Sequence, residues 1–182
     1  MATLPRDERY SIVAIWFHWA IAAMVILNLV IGLFHESLLA GWKGSIGIHK
    51  AVGITVLVLT AGRILWRLAH RPPTLPANVA GWERGAAHAA HWALYALLFI
   101  MPLTGWAMSS GPKRYPLTWF GLFDIPYLPV SAGTAGFSHE AHEVLGFLMA
   151  GLVVIHVAAA LRHHFLLRDR VLARMLPSAA RH

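Results

Sequence analysis

Twelve histidines and no cysteine occur in a chain of 182 residues. Without thiols, disulfides, iron–sulfur clusters and thiolate metal sites are excluded together. Imidazole is then the abundant side chain able to hold a metal or a haem iron. His18, His49, His91, His142 and His156 stand in runs otherwise built of Ala, Leu, Val, Ile and Trp. A lone histidine in such a run is more often a neutral ring hydrogen-bonded to its neighbour than a ligand. Spacing changes that reading. His142 and His156 are fourteen residues apart, nearly four whole turns at about 3.6 residues per turn, so both rings leave one face of a helix. At about 1.5 Å per residue their Cα atoms stand about 21 Å apart along the axis. One metal cannot use both; two stacked sites can.

The elements that must carry these rings are apolar. Hydrophobic residues make up 58% of the chain and charged ones 13%, with a mean hydropathy of +0.59. Too few charges remain to coat a soluble domain, and eight tryptophans exclude disorder. Four apolar stretches, residues 12–34, 48–68, 87–109 and 142–166, each approach the roughly 20 residues that cross a bilayer as a helix. The first is too long for a signal-peptide core and carries His18 in its apolar run. The expected fold is an all-α integral membrane protein, a single domain over residues 1–182 forming an up-down-up-down four-transmembrane-helix bundle. Connections are expected at 35–47, at 69–86 with Pro72, Pro73 and Pro76, and at 110–141 with Pro112, Pro116, Pro126, Pro129 and Gly133 as breakers. Within the last, the aromatic run Leu117 to Leu128 suits either the outer membrane interface or a loop packed over the bundle mouth.

A net charge of +7 raises the question of nucleic acid, and its distribution answers it. Eleven of the fifteen basic residues fall on one side: Arg6, Arg9, Arg63, Arg67, Arg71, Arg84, Arg162, Arg168, Arg170, Arg174 and Arg181. Lys43, Lys50, Lys113 and Arg114 fall on the other. The positive-inside rule then puts both termini and the middle connection in the cytoplasm. The charge is a topology signal, and nucleic-acid binding drops out.

Topology sets the depth of each ring. The first span enters from the cytoplasm, so His18 lies on the inner side with His156. The second enters from outside, so His49 lies level with His142. Two bis-histidine sites of this kind suit two b-type haems, each with axial imidazoles from opposing helices. Gly47, Gly53, Gly146 and Ala150 leave room for flat rings, though small residues also favour close packing of membrane helices without a cofactor. His91 competes with His18 for the inner site but has no outer counterpart on its own helix. His139, offset by seventeen residues from His156, falls on a different face. His163 follows His156 by seven on the same face, nearer the cytoplasm. It suits a quinone pocket or a proton path, and a solvated helix end is the alternative for His163 and His164. His88 is expected at the interface, and His35, His70 and His182 in loops or the tail.

Several motifs together resemble the bacterial cytochrome b561 family. They are Arg9-Tyr10-Ser11 leading to Phe17-His18-Trp19, His49 early in the second span, Arg63 and Arg67 at its end, and His142-Glu143 with His156 and His163-His164. The likeness covers nearly the whole chain. It implies haem ligation by His18, His49, His142 and His156, in agreement with the pairing by depth. It further implies a superoxide oxidase-like oxidoreductase, passing electrons from superoxide outside through both haems to ubiquinone in the bacterial inner membrane. Cytochrome b subunits that anchor hydrogenases or formate dehydrogenases use a similar histidine arrangement, so a peripheral redox partner protein is the alternative.

The remaining residues refine this. Gly44-Ser45-Ile46-Gly47 lacks the context of a dinucleotide site, so electrons must come from a small donor, a quinol or a partner. Lys50, Lys113 and Arg114, with Lys43, would form a basic outer mouth that attracts an anion; they equally suit lipid headgroups or haem propionates. Arg63 and Arg67, about one turn apart, suit the propionates of the inner haem or simple cytoplasmic anchoring. A histidine-lined metal transporter is the third reading. It would need acidic groups within the spans, where Glu143 alone sits at an edge.

Overall fold

A computed structural model describes residues 9–70, 73 and 80–176. Arg6, Arg71, Pro72, Pro76, Arg181 and His182 lie outside the described residues. Four long helices carry the fold: α1 (Ile12–Phe34), α2 (Ser45–Ala69), α3 (Gly81–Ser109) and α4 (Ala132–Phe165). All four are long and apolar enough to cross a membrane. The expected first span coincides with α1, which Ser11 caps by accepting the Ala14 N–H at 3.2 Å.

The other boundaries move outward. The second helix begins at Ser45 rather than 48, and the third at Gly81 rather than 87. Glu83, in the added turn of α3, holds Arg162 of α4 at 2.8 Å. The largest correction is at α4, which begins ten residues before the expected 142. Ser131 accepts the Thr134 N–H at 3.1 Å and starts the helix there. Gly133 therefore lies inside a helix and does not break one. At about 1.5 Å per residue this 34-residue helix is about 51 Å long, so it extends beyond a hydrocarbon core of about 30 Å. Polar His139, Glu140 and Glu143 fall in its first third, which explains why hydropathy alone misses the start.

The shortened connection, residues 110–131, carries a small antiparallel hairpin, β1 (Thr118–Trp119) paired with β2 (Phe123–Asp124). Phe120 and Gly121 both have positive φ, 49° and 74°, as the tight turn between twisted strands requires. The aromatic run packs over the bundle mouth on one side only. Leu117 and Ile125 are buried against the bundle, while Leu122 and Phe123 face outward and exposed. Trp119 Nε1 donates to Thr55 Oγ1 at 3.0 Å and Trp106 Nε1 to the Pro126 carbonyl at 2.8 Å, which fixes the loop over the bundle mouth.

The helices pack in chain order, α1 on α2, α2 on α3 and α3 on α4, with only sparse contact between α1 and α4. Ile21, Val52 and Val56 form the core of the α1–α2 seam. By contrast, α4 fully buries only Ser138 and Met149 among its residues.

Candidate cofactor sites

Ring geometry brings the histidines together in the pairs that depth suggests. His49 on α2 faces His142 on α4 with ring centroids 6.0 Å apart. His18 on α1 faces His156 on α4 at 6.2 Å. Two metal–nitrogen bonds of about 2.0 Å end to end, plus about 1.1 Å from each nitrogen to its ring centre, span about 6.2 Å. Both gaps therefore match one metal between two imidazoles.

At the outer pair the tautomers are set by the backbone. His49 Nδ1 lies 3.2 Å from the Asn28 carbonyl oxygen and His142 Nδ1 lies 3.1 Å from that of Met101. A carbonyl only accepts, so each Nδ1 carries the proton and each Nε2 is left to bind a metal. Asn28 returns the contact by donating Nδ2 to the His49 carbonyl at 3.1 Å, and Thr104 Oγ1 stands 3.0 Å from His142 Nδ1. Asn28 Oδ1 is buried and without a partner. A cavity of about 700 Å3 surrounds the pair, walled by Val25, Leu29, Leu98 and Met149 and reaching Gly53 and Gly146.

The residues fit a haem at this position. The cavity is of the right order for a macrocycle, and the His49 and His142 rings, 6.0 Å apart, are the ones that would hold its iron. Gly32 and Gly105, which spacing alone does not single out, form the cradle. A Cβ on Gly32 would lie 3.2 Å from His49 Cε1, and one on Gly105 would lie 3.1 Å from His142 Cε1. Of the small residues expected to leave room, Gly53 and Gly146 line the cavity. Gly47 and Ala150 do not, and a Cβ on Gly47 would meet nothing within 4 Å. Replacing Gly105 with valine is thus expected to push the His142 ring aside and lower the haem-to-protein ratio of the purified protein. Gly47→Ala is expected to leave that ratio unchanged.

The inner pair has a third ring. His91 on α3 lies 5.7 Å from His156 by centroid, so the rival of His18 is present at the same site. Only the His18 gap faces the loosely packed side between α1 and α4. Arg63 is within electrostatic reach of His18, His91 and His156. Its Nε donates to Tyr95 Oη at 2.9 Å, and the Arg63 and Arg67 guanidiniums lie 5.6 Å and 5.9 Å from the Tyr95 ring. Tyr95, a residue the sequence does not flag, therefore gathers both arginines beside the inner pair.

The peripheral candidates divide. Lys50 lines the outer cavity, donates to the Pro116 carbonyl at 3.0 Å and stands 5.5 Å from the Tyr115 ring. Arg114 stacks 5.1 Å over Tyr127, and Lys113 is exposed. The mouth is not uniformly basic, because Glu36 and Glu143 line the same cavity. His35, in the turn after α1, and His139 also reach it. The longer α4 and the His35 bond to the Gly32 carbonyl, 2.9 Å, bring them there. His88 bonds the Arg84 carbonyl at the exposed start of α3, and His70 stacks on Trp66. His163 is no solvated helix end. Its Nδ1 meets Asp169 Oδ2 at 2.5 Å with the two side chains 13% and 6% exposed.

Comparison with known proteins gives one consistent result. The family model for prokaryotic cytochrome b561 matches residues 9–178. The chain is 35% identical over 173 residues to cytochrome b561 homolog 2 of Escherichia coli (strain K12), covering 93% of this chain and 92% of that one. It is 30% identical over 174 residues to the probable superoxide oxidase CybB of Yersinia pestis, covering 93% and 97%. Cytochrome b562 of Cereibacter sphaeroides is 26% identical over 184 residues, covering 95% and 98%. The chain belongs to the prokaryotic cytochrome b561 family, a multi-pass electron-transfer protein of the bacterial inner membrane that binds haem b.

Proposed function

We propose that the chain binds two haems b, one between His18 and His156 and one between His49 and His142, and moves electrons from superoxide on the outer side to ubiquinone in the bilayer. The observation that carries this reading is the pair of opposed imidazole gaps, 6.0 Å and 6.2 Å, mounted fourteen residues apart on α4. Bound there, haem supplies one-electron redox centres at two depths.

The chain's residues do the rest. Nδ1 bonds to the Asn28 and Met101 carbonyls fix the outer rings, and Val25, Leu29, Leu98 and Met149 set apolar walls beside them. Arg63 and Arg67 provide cations for the carboxylates of an inner haem. Lys113 and Arg114, with Lys50 at the mouth, attract an anion against the opposing field of Glu36 and Glu143. The name of the Yersinia pestis relative supports superoxide as that anion. His163 is the group for a quinone at the inner end. The excess of arginine around the 2–3 connection and after α4 supports cytoplasmic termini. Two superoxide anions each give up one electron and leave as oxygen, and one ubiquinone takes up both electrons with two protons.

Stopped-flow absorbance of the purified haem-loaded protein tests this. Mixing with a superoxide pulse is expected to reduce the haem rapidly, and added ubiquinone to reoxidise it. Haem that ignores superoxide but is reduced by a co-purifying dehydrogenase or hydrogenase subunit would replace superoxide with a protein donor. A colourless protein would overturn the reading entirely.

A further inference from the structure

The chain does not simply end after α4. Leu166 and Leu167 both donate to the Arg162 carbonyl, and Arg168 adopts a left-handed conformation, φ 52°. That turn reverses the backbone, so that Asp169 N–H donates to the His163 carbonyl at 3.1 Å. The Asp169 side chain then lies beside the His163 ring, Oδ2 to Nδ1 at 2.5 Å, while Oδ1 accepts the Val171 N–H at 2.9 Å. Further along, the Met175 carbonyl accepts Trp19 Nε1 at 2.6 Å, which anchors the returning segment to α1 one residue after His18. A carboxylate 6% exposed, with both oxygens engaged, is held in one orientation.

A left-handed conformation at a non-glycine residue is strained, and burying an acid is costly unless it is paired. The fold sustains both to hold one carboxylate against one imidazole. His163 lies on the α4 face that carries His156, two turns away. With Nδ1 committed to Asp169, Nε2 is the ring atom left to exchange a proton.

We propose that Asp169 is a positioning residue for proton delivery to the quinone, fixing the His163 ring so that Nε2 faces its work protonated and in register. This rests on the quinone reading given above. The step balances. As an electron reaches the quinone, the Nε2–H bond of the His163 imidazolium breaks and an O–H bond forms on a quinone oxygen. The neutral imidazole keeps its proton on Nδ1, hydrogen-bonded to Asp169, and regains one at Nε2 from cytoplasmic water. A second electron and a second proton complete the quinol. Orientation of an imidazole by a buried carboxylate is a known route to one tautomer and to a stabilised imidazolium.

Haem-loaded Asp169→Asn, Asp169→Glu and His163→Gln are compared with the unchanged chain, using ubiquinone with one isoprenoid unit. Haem reduction by superoxide is read separately from reoxidation by the quinone. Asp169→Asn is expected to slow reoxidation roughly 10- to 100-fold in kcat with quinone KM little changed, and to leave the reduction phase and haem spectrum intact. Asp169→Glu is expected to restore part of the rate. The 15N shifts of the His163 ring are expected to show both nitrogens protonated in the unchanged chain and a mixture of neutral tautomers in Asp169→Asn. Unimpaired reoxidation in His163→Gln would overturn the quinone reading itself. Slow reoxidation in His163→Gln with a normal rate in Asp169→Asn would overturn only the role given to Asp169. An equal slowing of both phases in Asp169→Asn, with lowered thermal stability, would make the aspartate merely structural and also overturn it.

Discussion

Purified His142→Ala is expected to carry about one haem in place of about two, with the remaining haem spectrally unchanged. The reason lies in what surrounds the ring. His142 is seated by Met101 and Thr104 of α3 in a notch that Gly105 keeps open. Pro102, inside α3, lines the same cavity. No other imidazole stands against His49 among the described ring contacts, so alanine at 142 leaves the outer centre with one axial ligand. His49→Ala is expected to match it, and the two changes together to do no more than either alone. Haem content by pyridine haemochrome, with redox titration, decides this. Two haems retained in both variants would refute the outer pair.

The inner site responds differently, because three rings meet there. His156→Ala is expected to abolish inner haem binding, since His18 and His91 both stand against that ring. His18→Ala is expected to lose the inner haem as well, whereas His91→Ala is expected to keep it with a shifted midpoint potential. Two observations separate the rivals. The His18 gap of 6.2 Å matches the axial span while the His91 gap of 5.7 Å is short of it. In addition, α3 packs along α4 and leaves little width for a macrocycle, whereas α1 and α4 stand apart. The converse result, haem lost in His91→Ala and kept in His18→Ala, would transfer the ligand role to α3.

Much of this architecture is legible in one dimension because membrane helices are long and their faces are periodic. The fourteen-residue interval from His142 to His156 states a shared face and two depths at once. The arginine distribution orders the helices enough to name the partners. What escapes is anything settled between helices. Asn28, Met101 and Tyr95 look like ordinary span residues, and their roles arise from a carbonyl or hydroxyl meeting a ring or cation on the neighbouring helix. Gly105 resembles any small residue in a packed helix until His142 is seen against it. The early start of α4 had one local signal, Ser131 three residues before Thr134, which polar His139 and Glu140 obscured. Asp169 was invisible for a different reason: its contact with His163 depends on one left-handed residue, Arg168, that no periodicity marks.

The company kept by Arg63 has a consequence for cells with an energised membrane. Respiring bacteria hold the cytoplasmic face negative, so an electron carried inward moves against the voltage, at about 2.3 kcal/mol per 100 mV for a full crossing. Without compensation that field would hold electrons at the outer pair. A guanidinium beside the inner three rings favours the reduced state there, while the outer rings donate to backbone carbonyls, which makes their imidazoles more electron-rich. In the orientation and direction of flow proposed above, the two ends are biased in the sense that offsets the voltage. Neutralising Arg63 is then expected to make turnover fall as the membrane charges.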